Sequence, residues 1–163
     1  MADTTRIVRT GGDDIIRDAA TPFLKEVQDR IRNPGEVLLG PIADSMRATE
    51  QGVFLSAGSS VGTPWPPLAE STMRKKRGGS AMLLVDEGTL WESLTVPGAD
   101  FAVAELIDNG QSLRFGTDDP VAAFHQDGTV NMPERPVVPA QWPEEDTQAW
   151  VHLLSDFFID GEL

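Results

Sequence analysis

Apolar residues recur along this chain in two periods, helical in the first half and alternating for a stretch of the second. From Asp13 to Asn33 the pattern is helical with an interruption at Pro22. Thr21-Pro22 is itself a helix start, a capping hydroxyl followed by proline at the first helical position. Phe23, Val27 and Ile31 stand at i, i+4 and i+8 with Leu24 beside them, forming one apolar stripe. Asn33-Pro34 closes that helix and opens another, in which Leu38, Ile42, Met46 and Val53/Phe54 keep the period. Gly40-Pro41 near its start predicts a kink or a later true beginning. Residues 56–67 (Ser-Ala-Gly-Ser-Ser-Val-Gly-Thr-Pro-Trp-Pro-Pro) are dense in glycine and proline and read as a loop. A short helix over 69–77 ends at Gly78-Gly79, 82–85 reads as a buried run, and 86–94 as a short helix with Leu90, Trp91 and Leu94 on one side.

The period then changes. Phe101, Val103 and Leu106/Ile107 predict a strand, Asp108-Asn109-Gly110 a hairpin turn, and 112–116 the returning strand. Asp118-Asp119-Pro120 caps a short helix over 121–126 that stops at Gly128, and 135–139 is a short extended piece. The clearest helix is the last, 143–159. It opens Pro-Glu-Glu-Asp, with acids at the positive end of the helix dipole, and its apolar face is Trp150, Val151, Leu153, Leu154, Phe157 and Phe158. The expected fold is α+β: a single domain over 13–163 with long N-terminal helices, a small antiparallel sheet and a C-terminal amphipathic helix. Residues 1–12, polar and ending in Gly11-Gly12, read as a flexible arm. There is no internal repeat and no low-complexity segment.

Composition narrows the chemistry. The 163 residues fit one domain, and with no cysteine there is no disulfide framework, thiolate metal site or thiol nucleophile. Two histidines, His125 and His152, leave little for a multi-histidine metal centre. The longest apolar run, 81–85, is far short of the roughly 20 residues that span a bilayer. The first residues carry no apolar signal segment, so a cytosolic chain is expected. Charge is uneven: residues 1–85 hold 11 basic and 10 acidic side chains, net +1, whereas 86–163 hold 2 basic and 16 acidic, net −14. That disfavours generic nucleic-acid binding. The acidic half is either a solvated surface, a face for the more basic half of a neighbouring copy, or the lining of a channel that repels DNA phosphates.

Individual motifs give no enzyme. Gly58-Ser59-Ser60-Val61-Gly62 matches a nucleophile elbow as a string, but that turn needs a strand before it and a helix after it; here a helix end precedes and Thr-Pro-Trp-Pro-Pro follows. His125 has Asp127 nearby and no convergent nucleophile. The pairs Asp13-Asp14, Asp86-Glu87 and Asp118-Asp119 and the run Glu144-Glu145-Asp146 mostly sit where helices start. No calcium loop or phosphate-binding loop occurs, and no metal or cofactor is expected. Arg74-Lys75-Lys76-Arg77 is the one basic cluster, suited to a helix C-terminus, an acidic partner subunit or passing nucleic acid. Trp65, held between prolines, either plugs the domain's own core or anchors an interface. The candidate interface residues are Trp65, Leu68, Arg74, Lys75, Lys76, Arg77, His125, Gln126 and Arg135.

The order of these pieces is informative. Trp65-Pro66-Pro67-Leu68, Thr72, the basic cluster, Met82-Leu83-Leu84-Val85-Asp86, Gly88, Leu90 and Ser93 precede the hairpin. Ala122-Ala123-Phe124-His125-Gln126-Asp127-Gly128 and Arg135-Pro136 follow it. Over residues 54–139 this series resembles the phage virion morphogenesis, or tail-completion, family of Mu-like and P2-like contractile-tailed phages. Phe124, and Val137-Val138 after Arg135-Pro136, depart from the family's usual pattern.

The resemblance implies a structural neck protein without enzymatic activity: a tail-completion or head-tail joining subunit. Such a subunit forms a ring, commonly a hexamer, between the head-side connector or stopper and the tail terminator or tail tube. DNA would pass through the lumen without sequence-specific binding, and the protein, assembled in the host cytoplasm, would reside in the virion with no membrane partner. The same resemblance admits a tail terminator or a subunit of a phage-derived contractile device. A small serine hydrolase around Ser60 is the distant alternative.

Overall fold

A computed structural model describes residues 6–9, 15–18, 20–75 and 82–161. Strands β1 (Arg6–Arg9) and β2 (Ile15–Asp18) pair antiparallel, with Arg6 opposite Asp18 and Arg9 opposite Ile15. This differs from the expected helix from Asp13 and the expected arm over 1–12, the rest of which lies outside the described residues. Helix α1 (Ala20–Arg32) begins only at the Thr21-Pro22 start. A helix continued from Asp13 would place Pro22 in its interior, where the ring clashes with the carbonyl four residues back; the β-branched Ile15-Ile16 suits a strand instead.

Asn33 closes α1 by donating its side-chain amide to Asp29 O at 3.0 Å. The apolar stripe of α1 is not core: none of its residues is buried, and Phe23, Leu24 and Ile31 are 46 %, 61 % and 52 % exposed. The helix is tied to the body through Arg30, whose guanidinium donates to the carbonyls of Phe158 and Ile159 at 3.2 and 3.0 Å. That sets a cation on the negative end of the last helix.

Helix α2 (Gly35–Val37), a π-turn over Leu38–Ile42 and helix α3 (Ala43–Leu55) follow in one path. The kink expected at Gly40-Pro41 is there: Gly40 leaves helical geometry (φ −86°, ψ −110°) and Pro41 has no N–H to continue the ladder. A short 3-10 turn (Ser59–Val61) interrupts the loop after α3. Helix α4 (Glu70–Lys75) is the described part of the helix expected over 69–77. Residues 82–85 are half-buried rather than buried, packing at the margin of the core.

Helix α5 (Thr89–Thr95) begins after the left-handed Gly88. Strands β3 (Ala102–Ile107) and β4 (Ser112–Thr117) form the expected hairpin, with Leu106 opposite Leu113. Its turn holds Asp108, Asn109 and Gly110 all at positive φ, which Asn and Gly accept most readily. Helix α6 (Pro120–Asp127) has the anticipated cap: Asp119 Oδ1 accepts from Val121 N at 2.9 Å. Residues 135–139 form no strand. Helix α7 (Glu144–Ile159) carries three acids in its first turn, and Val151, expected on its apolar face, is exposed.

Two hydrophobic clusters hold these elements. In the first, Val53, Phe54, Trp65, Leu90, Leu94, Ala122 and Val137 meet, with the Phe54 ring edge-on to Trp65 and to Trp91 at 5.3 Å each. In the second, Val37, Ile42 and Phe157 are joined by Leu113, Trp150 and Leu154. The aromatic chain Phe115–Trp142–Trp150 packs the hairpin against α7.

Candidate functional site

The motifs that are dispersed in sequence converge behind one groove. Trp65 is buried against Phe54 and donates its indole N–H to Pro136 O at 2.9 Å. The preceding turn demands glycine: Gly58 has φ +80°, and a Cβ there would run into the Thr63 carbonyl and the Trp65 ring. Arg135, only 3 % exposed, donates Nε to Pro66 O at 2.8 Å and Nη2 to Pro67 O at 3.0 Å. Its backbone N–H donates to His125 O at 2.8 Å. Gln126 completes the clasp: its Oε1 accepts from Val137 N and Val138 N at 3.0 and 3.1 Å, and its Nε2 donates to Val138 O at 3.0 Å. Backbone groups that no strand ladder satisfies need other partners. Here one guanidinium, one indole and one amide supply them for two segments that no strand accompanies.

In front of this clasp, α4, the 84–90 segment and α6 enclose an open groove of about 510 Å³. Leu68, Leu84, Leu90 and Val121 give it an apolar lining, with Lys75 contributed by α4 and Asp86 and Glu87 by the 84–90 segment. His125 also lines it. The buried Nδ1 of that ring has no hydrogen-bond partner among the described residues. Desolvation, reinforced by the Arg135 cation and opposed by Asp119, pushes the imidazole pKa below its ordinary value, so the ring is neutral near pH 7. Among the described residues nothing orients that nitrogen, as the partner of a general base would.

The candidate interface residues therefore divide. Leu68, Lys75 and His125 face the groove, whereas Trp65, Gln126 and Arg135 lie behind it in the clasp. Arg74 is exposed on α4, 3.4 Å from Glu70; Lys76 and Arg77 lie outside the described residues. Leu84, Leu90 and Val121 were not among the candidates, because only the folded chain brings their three segments together.

Ser60 belongs elsewhere. It sits on the 3-10 turn, where Ser56 Oγ lies 3.0 Å from its hydroxyl and accepts from its backbone N–H at 2.9 Å. It lines a different cleft from His125, beside Thr49, Glu145 and Asp146. No strand leads into this turn, so the strained elbow geometry is missing. Of the acidic groups, Asp119 caps α6 and Glu144, Glu145 and Asp146 open α7, while Asp13-Asp14 lies outside the described residues. Among the described residues no group of acidic or imidazole side chains is placed to hold a metal ion, and no helix is long and apolar enough to cross a membrane.

One buried ionisable group escaped the sequence reading. Glu50 on α3 is fully buried, and neither carboxylate oxygen has a hydrogen-bond partner among the described residues. Burial raises its pKa from 4.5 to about 8. A signal existed: the i, i+4 series Ile42, Met46, Phe54 passes through position 50, placing Glu50 on the apolar face.

Set against known proteins, residues 16–149 match the model of the phage virion morphogenesis family. No curated protein and no solved structure gives a significant match.

Proposed function

This chain belongs to the phage virion morphogenesis family, and from that premise we propose that it is a structural subunit of the virion neck, a tail-completion or head-tail joining protein that forms a ring between the head-side connector and the tail. The observation that carries the reading is the division of labour at the groove. The polar side chains of the clasp are engaged with the chain's own backbone, and the surface in front of them is apolar with a charged rim. Such a surface suits protein docking, an apolar centre with a polar border, rather than bond-making.

Charge supports the ring. A subunit with a net +1 half and a net −14 half offers unlike faces for head-to-tail contact, the kind of contact that closes into rings. An acidic lumen would let DNA slide, since adhesion comes from neutralising phosphates with cations. The family resemblance implies six copies per ring.

The experiment is to purify virions and look for the chain by peptide mass spectrometry and by antibody labelling in the electron microscope, alongside a deletion. The expected result is label at the head-tail junction, and filled heads and free tails in the deletion strain. Virions that lack the chain, together with normal head-tail joining in the deletion, would overturn the proposal.

A further inference from the structure

Helix α3 is shared by the two hydrophobic clusters. Met46 packs against the second, and Val53 and Phe54 belong to the first. Glu50 stands between them on the same face, one turn from Met46 and one from Phe54, so its fully buried side chain lies where the clusters meet. Neither of its oxygens has a partner among the described residues. With its proton on, such a carboxyl can fill apolar space; as an unpaired carboxylate it cannot stay dry.

The charges on the surrounding elements do not relieve it. On α3, Arg47 pairs with Asp44 at 2.7 Å and lies over the Phe115 ring of β4. Arg114 on that strand pairs with Glu105 at 2.9 Å. Glu92 on α5 is exposed. On α7, Asp146 accepts from Thr49 at 2.7 Å, and Glu145 lies in the cleft beside it. Asp86, Glu87 and His125 line the groove, Asp119 caps α6, and Arg135 is held by the proline loop. The π-turn and the 3-10 turn carry no charged residue. Burial alone is the cause of the raised Glu50 pKa.

The two seams of α3 are fastened differently. Toward α7, Thr49 donates to Asp146, and the Trp150 indole donates to Ser45 Oγ at 2.9 Å. Toward α5, no hydrogen bond or ion pair crosses among the described residues. The contact there is apolar, with the Phe54 ring edge-on to Trp91. The hydroxyls of α5 are engaged within the helix, Ser93 on Leu90 O and Thr95 on Trp91 O. This helix has only seven residues, between left-handed Gly88 and extended Val96. Its Leu90 belongs both to the first cluster and to the groove lining, and Thr89 lines the groove as well.

We propose that Glu50 is a proton-controlled latch on the groove: with the proton in place α5 lies closed on α3, and when the proton passes to solvent α5 parts from α3 so that water reaches the carboxylate. Leu90 and Thr89 then leave the groove lining with α5, while the hydrogen-bonded seam toward α7 stays shut. Burial sets the change at about pH 8, so the groove is complete below that pH and open above it. The latch goes beyond the neck reading and stands without it.

The chain has no native cysteine, so Thr89→Cys and Val121→Cys, both at exposed positions lining the groove, accept a pair of spin labels on α5 and α6. Pulsed electron resonance on the full chain reads the distance between them at pH 6 and pH 9. Nuclear magnetic resonance of isotope-labelled glutamate follows the Glu50 carboxyl, assigned by its absence from Glu50→Gln. The expected result is a carboxyl that titrates at about pH 8 and a label distance that lengthens over the same range, with the helical circular dichroism retained. In Glu50→Gln the distance should be the same at both pH values; Glu50→Met serves if the glutamine variant does not fold.

A Glu50 carboxyl that titrates in the ordinary carboxylate range would overturn the proposal, as would a label distance unchanged at pH 9. So would a distance that lengthens equally in the Glu50 variants. A distance change that comes only with loss of the helical signal would also overturn it, leaving Glu50 as a determinant of global stability alone.

Discussion

Arg135 and Glu50 are both shut away from water, 3 % and 0 % exposed, but their surroundings are opposite. Arg135 lies in the clasp with two proline-loop carbonyls on its guanidinium. Glu50 lies buried on α3 with no partner for either oxygen among the described residues. A buried ion is tolerable when its hydrogen-bonding capacity is met and its charge is opposed or neutralised. Arg135 stays cationic because it is surrounded by carbonyl dipoles and cannot readily lose its proton. Glu50 meets the same demand by keeping its proton. Arg135 is thus a buried charge that organises structure, and Glu50 a buried acid that is tolerated only while neutral.

The pH dependence of stability breaks this comparison open most widely. Between pH 4.5 and about 8 the unfolded chain has released the Glu50 proton and the folded chain still holds it. The folded state binds more protons there, so its stability falls as pH rises through that window and levels off above about 8. The total loss is on the order of 5 kcal/mol at most. Urea denaturation at pH 5, 7 and 9 should show the decline, and Glu50→Gln should flatten it. An unchanged slope in that variant would mean that Glu50 is ionised in the fold.

Arg135→Met tests the other side. It leaves the carbonyls of Pro66 and Pro67 without donors, and the expected destabilisation is roughly 3–5 kcal/mol, since hydrogen bonds from a charged donor are each worth about 1.5–3 kcal/mol. The Glu50 variant should be no less stable than the parent at pH 9, and the Arg135 variant less stable at every pH. Trp65→Phe sharpens the picture at a smaller scale: it keeps a ring beside Phe54 but strands Pro136 O, for about 2 kcal/mol in the midpoint of urea unfolding. Ser60→Ala is the smallest, within about 0.5 kcal/mol, and native mass and head-tail joining should be unaffected. A defect in joining with unchanged stability would revive chemistry at Ser60.

Local signals accounted for much of the fold. Asp119-Pro120 and Gly128 bound α6, Asp108-Asn109-Gly110 turned the hairpin, and Gly40-Pro41 marked the kink, because each acts on its own few residues through a cap, a positive φ or a missing N–H. What could not be read was what each surface meets. The periodicity of α1 marks its apolar side, but a period carries no information about whether another element covers it, and none of the described residues buries it. Nor could the clasp be anticipated: the Arg135 and Pro66 partners are 69 residues apart, and both arginine and tryptophan have exposed roles as common as buried ones. The Ile15-Ile16 strand was masked by helical spacing further on. The family motifs were legible as an order along the chain, while their meaning as one clasp behind one groove required the fold.

The length of the loop that the clasp closes has a consequence in time. Trp65 and Pro136 meet across 71 residues of chain, and Arg135 and Pro67 across 68. Contacts so distant in sequence carry a larger closure entropy than the local turns of the helices and form later in folding. The 135–136 segment joins the 65–67 loop to α6, because the Arg135 N–H also donates to His125 O, so the groove is completed late. A nascent or half-folded chain would display its helices before the groove between α4 and α6 exists, so nothing that needs the finished groove could bind until the chain had folded.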